Sequence, residues 1–484
     1  MLFTSTEFLL EFLPIVFCGY WACTYVSQTA ATLWLVMASL IFYGYWNPLY
    51  LLLLVPSIAF NYAAGRLIVA LSGRRRAWTT AAAVAANLGV LLYFKYTAFI
   101  VTNLDLLGLK LPLPSIVLPL GISFITFQKI AYVVDAYNGK TYDAGPVRFA
   151  LFVSFFPQLI AGPISHHSEI VPQLRDKTVF QLKNVAVGLS LFAIGLAKKI
   201  LIADGVAAIA DVGFGMVSRG EEISFWSAWA AALAYSMQLY FDFSGYSDMA
   251  CGLALLFGIR LPINFYSPYK ASSIIEFWRR WHMTLSRFLR DYLYIPLGGS
   301  RRGSQYLNIL ITMVLGGLWH GAAWTFVIWG AFHGLLLLIN HGWRTLRGNA
   351  PETGPGIVRF GCTALTFAAV VFGWVLFRSE GVVAAGKMYQ SMFNLHSAVS
   401  LGGTGPTPFQ WVRVIVALCA AFLLPNTYQI FANYQPMLEN SSLKANATWL
   451  SWRPSLAWAV VVACCLAAAL LPVQPKLSFL YFQF

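Results

Sequence analysis

The chain has 484 residues, 59% of them hydrophobic and only 10% charged, with a mean hydropathy of +0.67. Soluble globular chains carry about 25% charged residues, so this composition excludes a soluble domain and reads as a polytopic membrane protein. The 32 Lys and Arg outnumber the 18 Asp and Glu, but they cluster at the ends of apolar runs, which is positive-inside patterning and excludes a nucleic-acid surface.

Apolar runs long enough to cross a bilayer lie near 8–25, 29–45, 49–71, 77–101, 115–136, 147–164, 184–210, 224–258, 321–341, 357–377, 409–425 and 452–472. They predict an all-α fold with roughly 11–13 membrane segments, some re-entrant or interfacial, around a central tunnel. Residues 1–484 read as one membrane-embedded unit. Glu7 and Glu11 stand where a basic leader would be, which argues against a cleaved signal peptide. Arg74, Arg75 and Arg76 follow the third run, whereas the turns at Gln28 and Asn47–Pro48 carry no cation. The arginines therefore belong in the cytoplasm and the N-terminus in the periplasm. Pro112, Pro114 and Pro119 punctuate the entry to the fifth run.

The seven cysteines lie mostly in apolar segments with no CxxC and no metal-ligand spacing, so neither disulfides nor a metal site are expected. His166–His167 and Lys198–Lys199 read as helix ends, and the Asn446-Ala447-Thr448 glycosylation triplet as chance.

The 224–258 run carries polar residues where a membrane helix should have few. Gln238, Asp242 and Tyr246 share one helical face, Ser244 and Asp248 another, and Tyr240 lies among them. A buried carboxylate is costly and so needs a use. Two uses fit: a hydrogen-bonding anchor between helices, or Asp242 accepting the ring N–H of a histidine and so orienting it.

Residues 264–303 are the most basic stretch. Arg279, Arg280, His282, Arg287, Arg290, Arg301 and Arg302 alternate with Trp278, Trp281, Phe288 and Tyr292. This predicts an amphipathic helix lying in the cytoplasmic interface. Its arginines fit anionic lipid contact, or bidentate neutralisation of the phosphates of a nucleotide-bearing acyl donor.

From this surface Leu307–Leu318 leads to His320. At about 12 residues and ~18 Å it is short of a ~30 Å hydrocarbon core, so it reads as a half-helix broken at Gly316–Gly317. His320, flanked by Trp319 and Gly321, is then placed part-way into the membrane. His333 follows 13 residues later; on a continuous helix it would be about 20 Å away, on roughly the opposite face. For each histidine, structural hydrogen bonding competes with function.

With these residues in view, the chain resembles the membrane-bound O-acyltransferase family, in its bacterial polysaccharide-acetylating branch. The motifs carrying the likeness are Pro119-Leu-Gly-Ile-Ser-Phe, Phe156-Pro-Gln-Leu-Ile-Ala-Gly-Pro163, Gln238-Leu-Tyr-Phe-Asp-Phe-Ser-Gly-Tyr-Ser-Asp-Met-Ala250 and Glu276-Phe-Trp-Arg-Arg-Trp-His282. Leu289-Arg-Asp-Tyr-Leu-Tyr294, Gly316-Gly-Leu-Trp-His-Gly321, Gly373-Trp-Val-Leu-Phe-Arg378 and Phe479-Leu-Tyr-Phe-Gln-Phe484 complete the set, which covers essentially the whole chain. The resemblance implies an inner-membrane enzyme that takes acetyl from cytoplasmic acetyl-CoA, a substrate and not a bound cofactor. A periplasmic acetyl-esterase-like partner then places it on a polysaccharide such as alginate or cellulose. The family's essential histidine falls on His320 and its second on His333. Asp242 is the third candidate catalytic residue; Arg279, Arg280, His282, Arg287, Tyr240, Ser244 and Trp319 are candidates for binding. On physics alone a transporter or channel with a proton relay fits the same buried groups.

Overall fold

The computed structural model describes residues 1–112, 116–141, 144–301, 303–348, 356–399, 405–438, 443, 448–470 and 479–480. Pro114, Arg302, most of the Asn446 triplet and the last four residues of the terminal motif lie outside them.

The described residues fold almost wholly into helices, as the apolar runs predict. Six stretches among them are long and apolar enough to cross a membrane: Phe8–Val26, Pro48–Ala70, Gly73–Asp105, Leu182–Ser218, Trp324–Leu346 and Gly356–Arg378. Gln28–Gly44, Gly145–Ser154 and Pro408–Leu423 are apolar but shorter. The helix starts follow local chemistry. The Ser27 side chain accepts from the Ala30 N–H, and Thr407 forms a capping box with Gln410.

The chain divides into two compact units. The first comprises Met1–Leu196, Tyr246–Ile263 and Thr427–Phe482. It is held by aromatic packing and by polar pairs that satisfy each other inside apolar surroundings. Asn61 and Asn87 exchange side-chain hydrogen bonds of 3.1 and 2.8 Å, and Thr427 donates to Asp248 at 2.9 Å. His167 is buried against Tyr132 and Phe152, and burial depresses its pKa to about 4.

The second unit comprises Ala197–Gly245 and Asn264–Asn426. At its centre, Gln305–His320 and Trp324–Leu346 form a hairpin turned by Gly321 and the extended Ala323. Gly316 and Gly317 do not break the first helix, which runs unbroken to His320; at 16 residues it spans about 24 Å. The glycines serve close approach instead. A Cβ on Gly317 would meet the Phe326 carbonyl oxygen at 2.2 Å, and one on Gly330 would meet the Met313 carbonyl oxygen at 2.3 Å. Small residues at such positions let two backbones pack within a membrane.

Candidate active site

The hairpin sets the position of both histidines. His320 is the last residue of its helix and is buried, with ring centroids of Trp319, Trp329 and Phe377 at 4.9, 5.2 and 5.2 Å. His333 lies on the returning helix, and its centroid is 4.9 Å from that of Trp329. One indole therefore touches both imidazoles. The ~20 Å separation expected of a continuous helix is wrong, because the turn at 321–323 folds the second helix back beside the first.

His333 is 0% exposed, within a cage of Trp278, Trp329, Phe332 and Trp374. Neither ring nitrogen has a hydrogen-bond partner among the described residues. Gly373 makes room for this ring: a Cβ there would meet Nε2 at 2.5 Å.

The cage extends along the 264–303 region. Trp374 Nε1 donates to the Tyr269 hydroxyl at 3.2 Å, and that hydroxyl donates to the Ser236 carbonyl at 2.7 Å. Tyr240 packs on Tyr269 at 5.2 Å, joining one binding candidate to the same aromatic cluster. Trp319 borders His320 on one side and His282 on the other, the latter at 6.4 Å.

His282 departs from the surface position expected for it. Among its described residues the 264–303 region is not one interfacial helix but a series of short ones, including Ile274–Arg280 and Met283–Leu289, the latter running on as the π-helical Arg290–Tyr294, with Phe277 and Trp281 buried. His282 sits between them at φ +43° and is 1% exposed. Its Nδ1 lies 3.1 Å from Asn264 Oδ1, the atom that also accepts from the Thr284 hydroxyl at 2.9 Å. Because Oδ1 is an acceptor, Nδ1 carries the proton and Nε2 the lone pair. Burial pushes the His282 pKa down to about 3.

The arginines divide. Arg280 pairs with Glu276 and lies over the Tyr266 ring. Arg287 is half-buried. Arg279 is exposed, and with Arg344 it acts electrostatically on His341. Arg290 pairs with Asp291 at the surface.

Asp242 is 1% exposed, and its carboxylate lies 2.7 Å from the Lys199 ammonium. The same ammonium lies 2.7 Å from Asp204. Lys199 is thus no helix-end marker. It is a buried cation on the π-helical stretch Lys198–Ala203, shared by two carboxylates. Sequence reading missed Lys199 and Asp204, although a lysine inside a continuous apolar run was the available signal. Gln238 and Ser244 are buried on the same helix, and neither Gln238 Oε1 nor the Ser244 hydroxyl has a partner among the described residues. Asp248, grouped by register with Ser244, belongs to the first unit, where Thr427 holds it. Among the described residues no group of three His, Cys, Asp or Glu could hold a metal ion.

A buried, aromatic-walled imidazole can accept a proton where water is scarce. Comparison with known proteins gives that chemistry a setting. Residues 16–377 match the model of the membrane-bound O-acyltransferase family. The chain is 43% identical to a peptidoglycan O-acetyltransferase of Helicobacter pylori over 430 residues, 82% of this chain and 80% of the relative. It is 39% identical over the full length of both chains to a probable alginate O-acetylase of Pseudomonas putida. A teichoic acid D-alanyltransferase of Bacillus subtilis is 27% identical over 54% of the chain and 69% of the relative. Of the two classes left open by the buried polar groups, transporter and acyltransferase, the comparisons select the second: the chain belongs to the membrane-bound O-acyltransferase family and is an O-acyltransferase.

Proposed function

We propose that the protein moves an acetyl group from cytoplasmic acetyl-CoA across the bacterial inner membrane for O-acetylation of an exported polysaccharide. The relatives named for alginate and peptidoglycan O-acetylation support a sugar-polymer acceptor, and a cellulose-type polymer offers the same hydroxyl chemistry. A periplasmic acetyl-esterase-like protein completes the transfer in this reading. The observation that carries it is His320, the buried terminal residue of the Gln305–His320 helix, walled by three aromatic rings.

A thioester is already activated, so the site must deprotonate the attacking hydroxyl and hold the partners in line. His320 takes the hydroxyl proton as the new C–O bond forms; the C–S bond breaks and the CoA thiolate recovers that proton. General-base help of this kind is worth typically 10²–10⁴-fold. Arg279 and Arg287 neutralise donor phosphates, while Arg280 is engaged by Glu276. Asp242 shapes the site through Lys199.

Purified protein combined with the periplasmic acetyl-esterase-like partner, and incubated with radiolabelled acetyl-CoA and a soluble sugar-polymer acceptor, tests the reading. Transfer is expected for the wild type and lost in His320→Ala at unchanged membrane abundance. Wild-type transfer by that variant removes His320 from the reaction; no transfer by the wild type removes the proposed donor and acceptor.

A further inference from the structure

Trp329 is 1% exposed, yet its indole N–H has no hydrogen-bond acceptor among the described residues. A buried Trp N–H nearly always finds a partner, because leaving one unmade costs about 1–3 kcal/mol. The neighbouring Trp374 obeys that rule. Its ring stacks near that of Trp329, at 5.9 Å and 19°, and its Nε1 donates to Tyr269. Within the cage Trp374 is paired, whereas the N–H groups of Trp329 and Trp278 have no acceptor among the described residues, and of these two Trp329 is the one that borders His320. Phe377 and His320 meet it edge to face, at 71° and 88°, and a contact to a π face replaces only part of a lost hydrogen bond.

Its position gives the unmade bond a meaning. The Trp329 centroid is 5.2 Å from that of His320. The unpaired donor is therefore on a side chain that directly borders the base. Trp278, whose N–H also lacks an acceptor among the described residues, borders His333.

We propose that Trp329 is a catalytic residue whose indole N–H stabilises the oxyanion formed on the thioester carbonyl during transfer; this rests on the acetyl-transfer reading above. As the acceptor oxygen attacks and its proton passes to His320, the carbonyl π electrons move onto oxygen, which accepts from Trp329 Nε1. Collapse restores the carbonyl, breaks the C–S bond, and the thiolate takes the proton from His320. A donor held unpaired in the resting protein is pre-set for charge that develops only in the transition state, in a site with little water to compete.

The test is Trp329→Phe, which keeps an aromatic ring and removes the N–H, alongside Trp329→3-benzothienylalanine, which keeps the bicyclic shape with sulfur in place of N–H. Removing one oxyanion donor typically costs about 10²–10³-fold in kcat. Both variants are expected to lose that much with the KM for acetyl-CoA unchanged, and the benzothienyl variant, which keeps the packing, to retain the wild-type thermal midpoint in detergent. Retention of kcat within threefold by the benzothienyl variant overturns the proposal, as does a rise in KM without a fall in kcat. Wild type and His320→Ala run in parallel. An inactive wild type refutes the acetyl-transfer reading, whereas an active wild type, a dead His320→Ala and an active benzothienyl variant refute the role of Trp329 alone.

Discussion

Lys199 Nζ lies 2.7 Å from an Asp242 oxygen in the interior of the second unit, and Asp204 shares the same ammonium at the same distance. A buried pair contributes little against an apolar substitute, but removing one partner strands the other charge at about 3–5 kcal/mol. Lys199→Met strands two carboxylates and is expected to lose most folded protein, read as the monodisperse fraction after detergent extraction. Asp204→Asn leaves Lys199 paired with Asp242 and is expected to be far milder. Equal yields from the two variants would show that the ammonium is not the hub.

Gly330 and Gly317 allow the hairpin helices to touch. Gly330→Ala forces a methyl against the Met313 carbonyl oxygen and the Val314 backbone. Overpacking of this kind costs about 1–3 kcal/mol. A lower thermal midpoint is expected, with less acetyl transfer because His320 ends one helix of the pair. Gly205→Ala, where a Cβ meets nothing within 4 Å, is the control. In a helix interior it is expected to be neutral or to stabilise by up to about 1 kcal/mol.

His282 predicts an acid limit. It lies outside the six candidate spanning stretches, and its folded pKa of about 3 is below the ordinary 6.5. Unfolding therefore takes up a proton between those values. The stability contributed by the neutral ring is complete above about pH 6.5 and falls as the pH drops toward 3. Thermal midpoints measured from pH 7.5 to 4.5 should decline less steeply in His282→Gln than in the wild type. Parallel declines would mean that the ring is not held neutral.

Arg279 is exposed and, unlike Arg280 and Arg290, has no ion-pair partner among the described residues, so its charge can meet a donor phosphate. Arg279→Glu is expected to raise the KM for acetyl-CoA several-fold with kcat little changed. With a short acetyl thioester lacking phosphates, the variant should match the wild type. An equal effect on both donors would assign Arg279 to folding.

Much of the fold was legible because apolar periodicity and length are local properties. Each apolar run contains helix among its described residues, and the short Leu307–Leu318 run lies in a helix, Gln305–His320, whose ~24 Å falls short of the full hydrocarbon core. What failed depended on neighbours distant in sequence. Gly316–Gly317 looked like a break because nothing in the sequence shows Phe326 and Gly330 packed against Gly317. His282 was assigned to a basic surface because its arginine neighbours are visible and its partner Asn264, 18 residues back, is not. Lys199 reads as a helix end because Asp242, its partner, lies 43 residues on. Tertiary pairing decides what a buried polar residue does, and a linear pattern only says that it must do something.

A single indole wedged against two imidazoles has a practical corollary for genetics. Replacing His320 or His333 unsettles the ring on which the other leans, so the separate losses will not add. A double-mutant cycle across the pair should return a sizeable coupling energy, and crossing either histidine with Trp329 should apportion it.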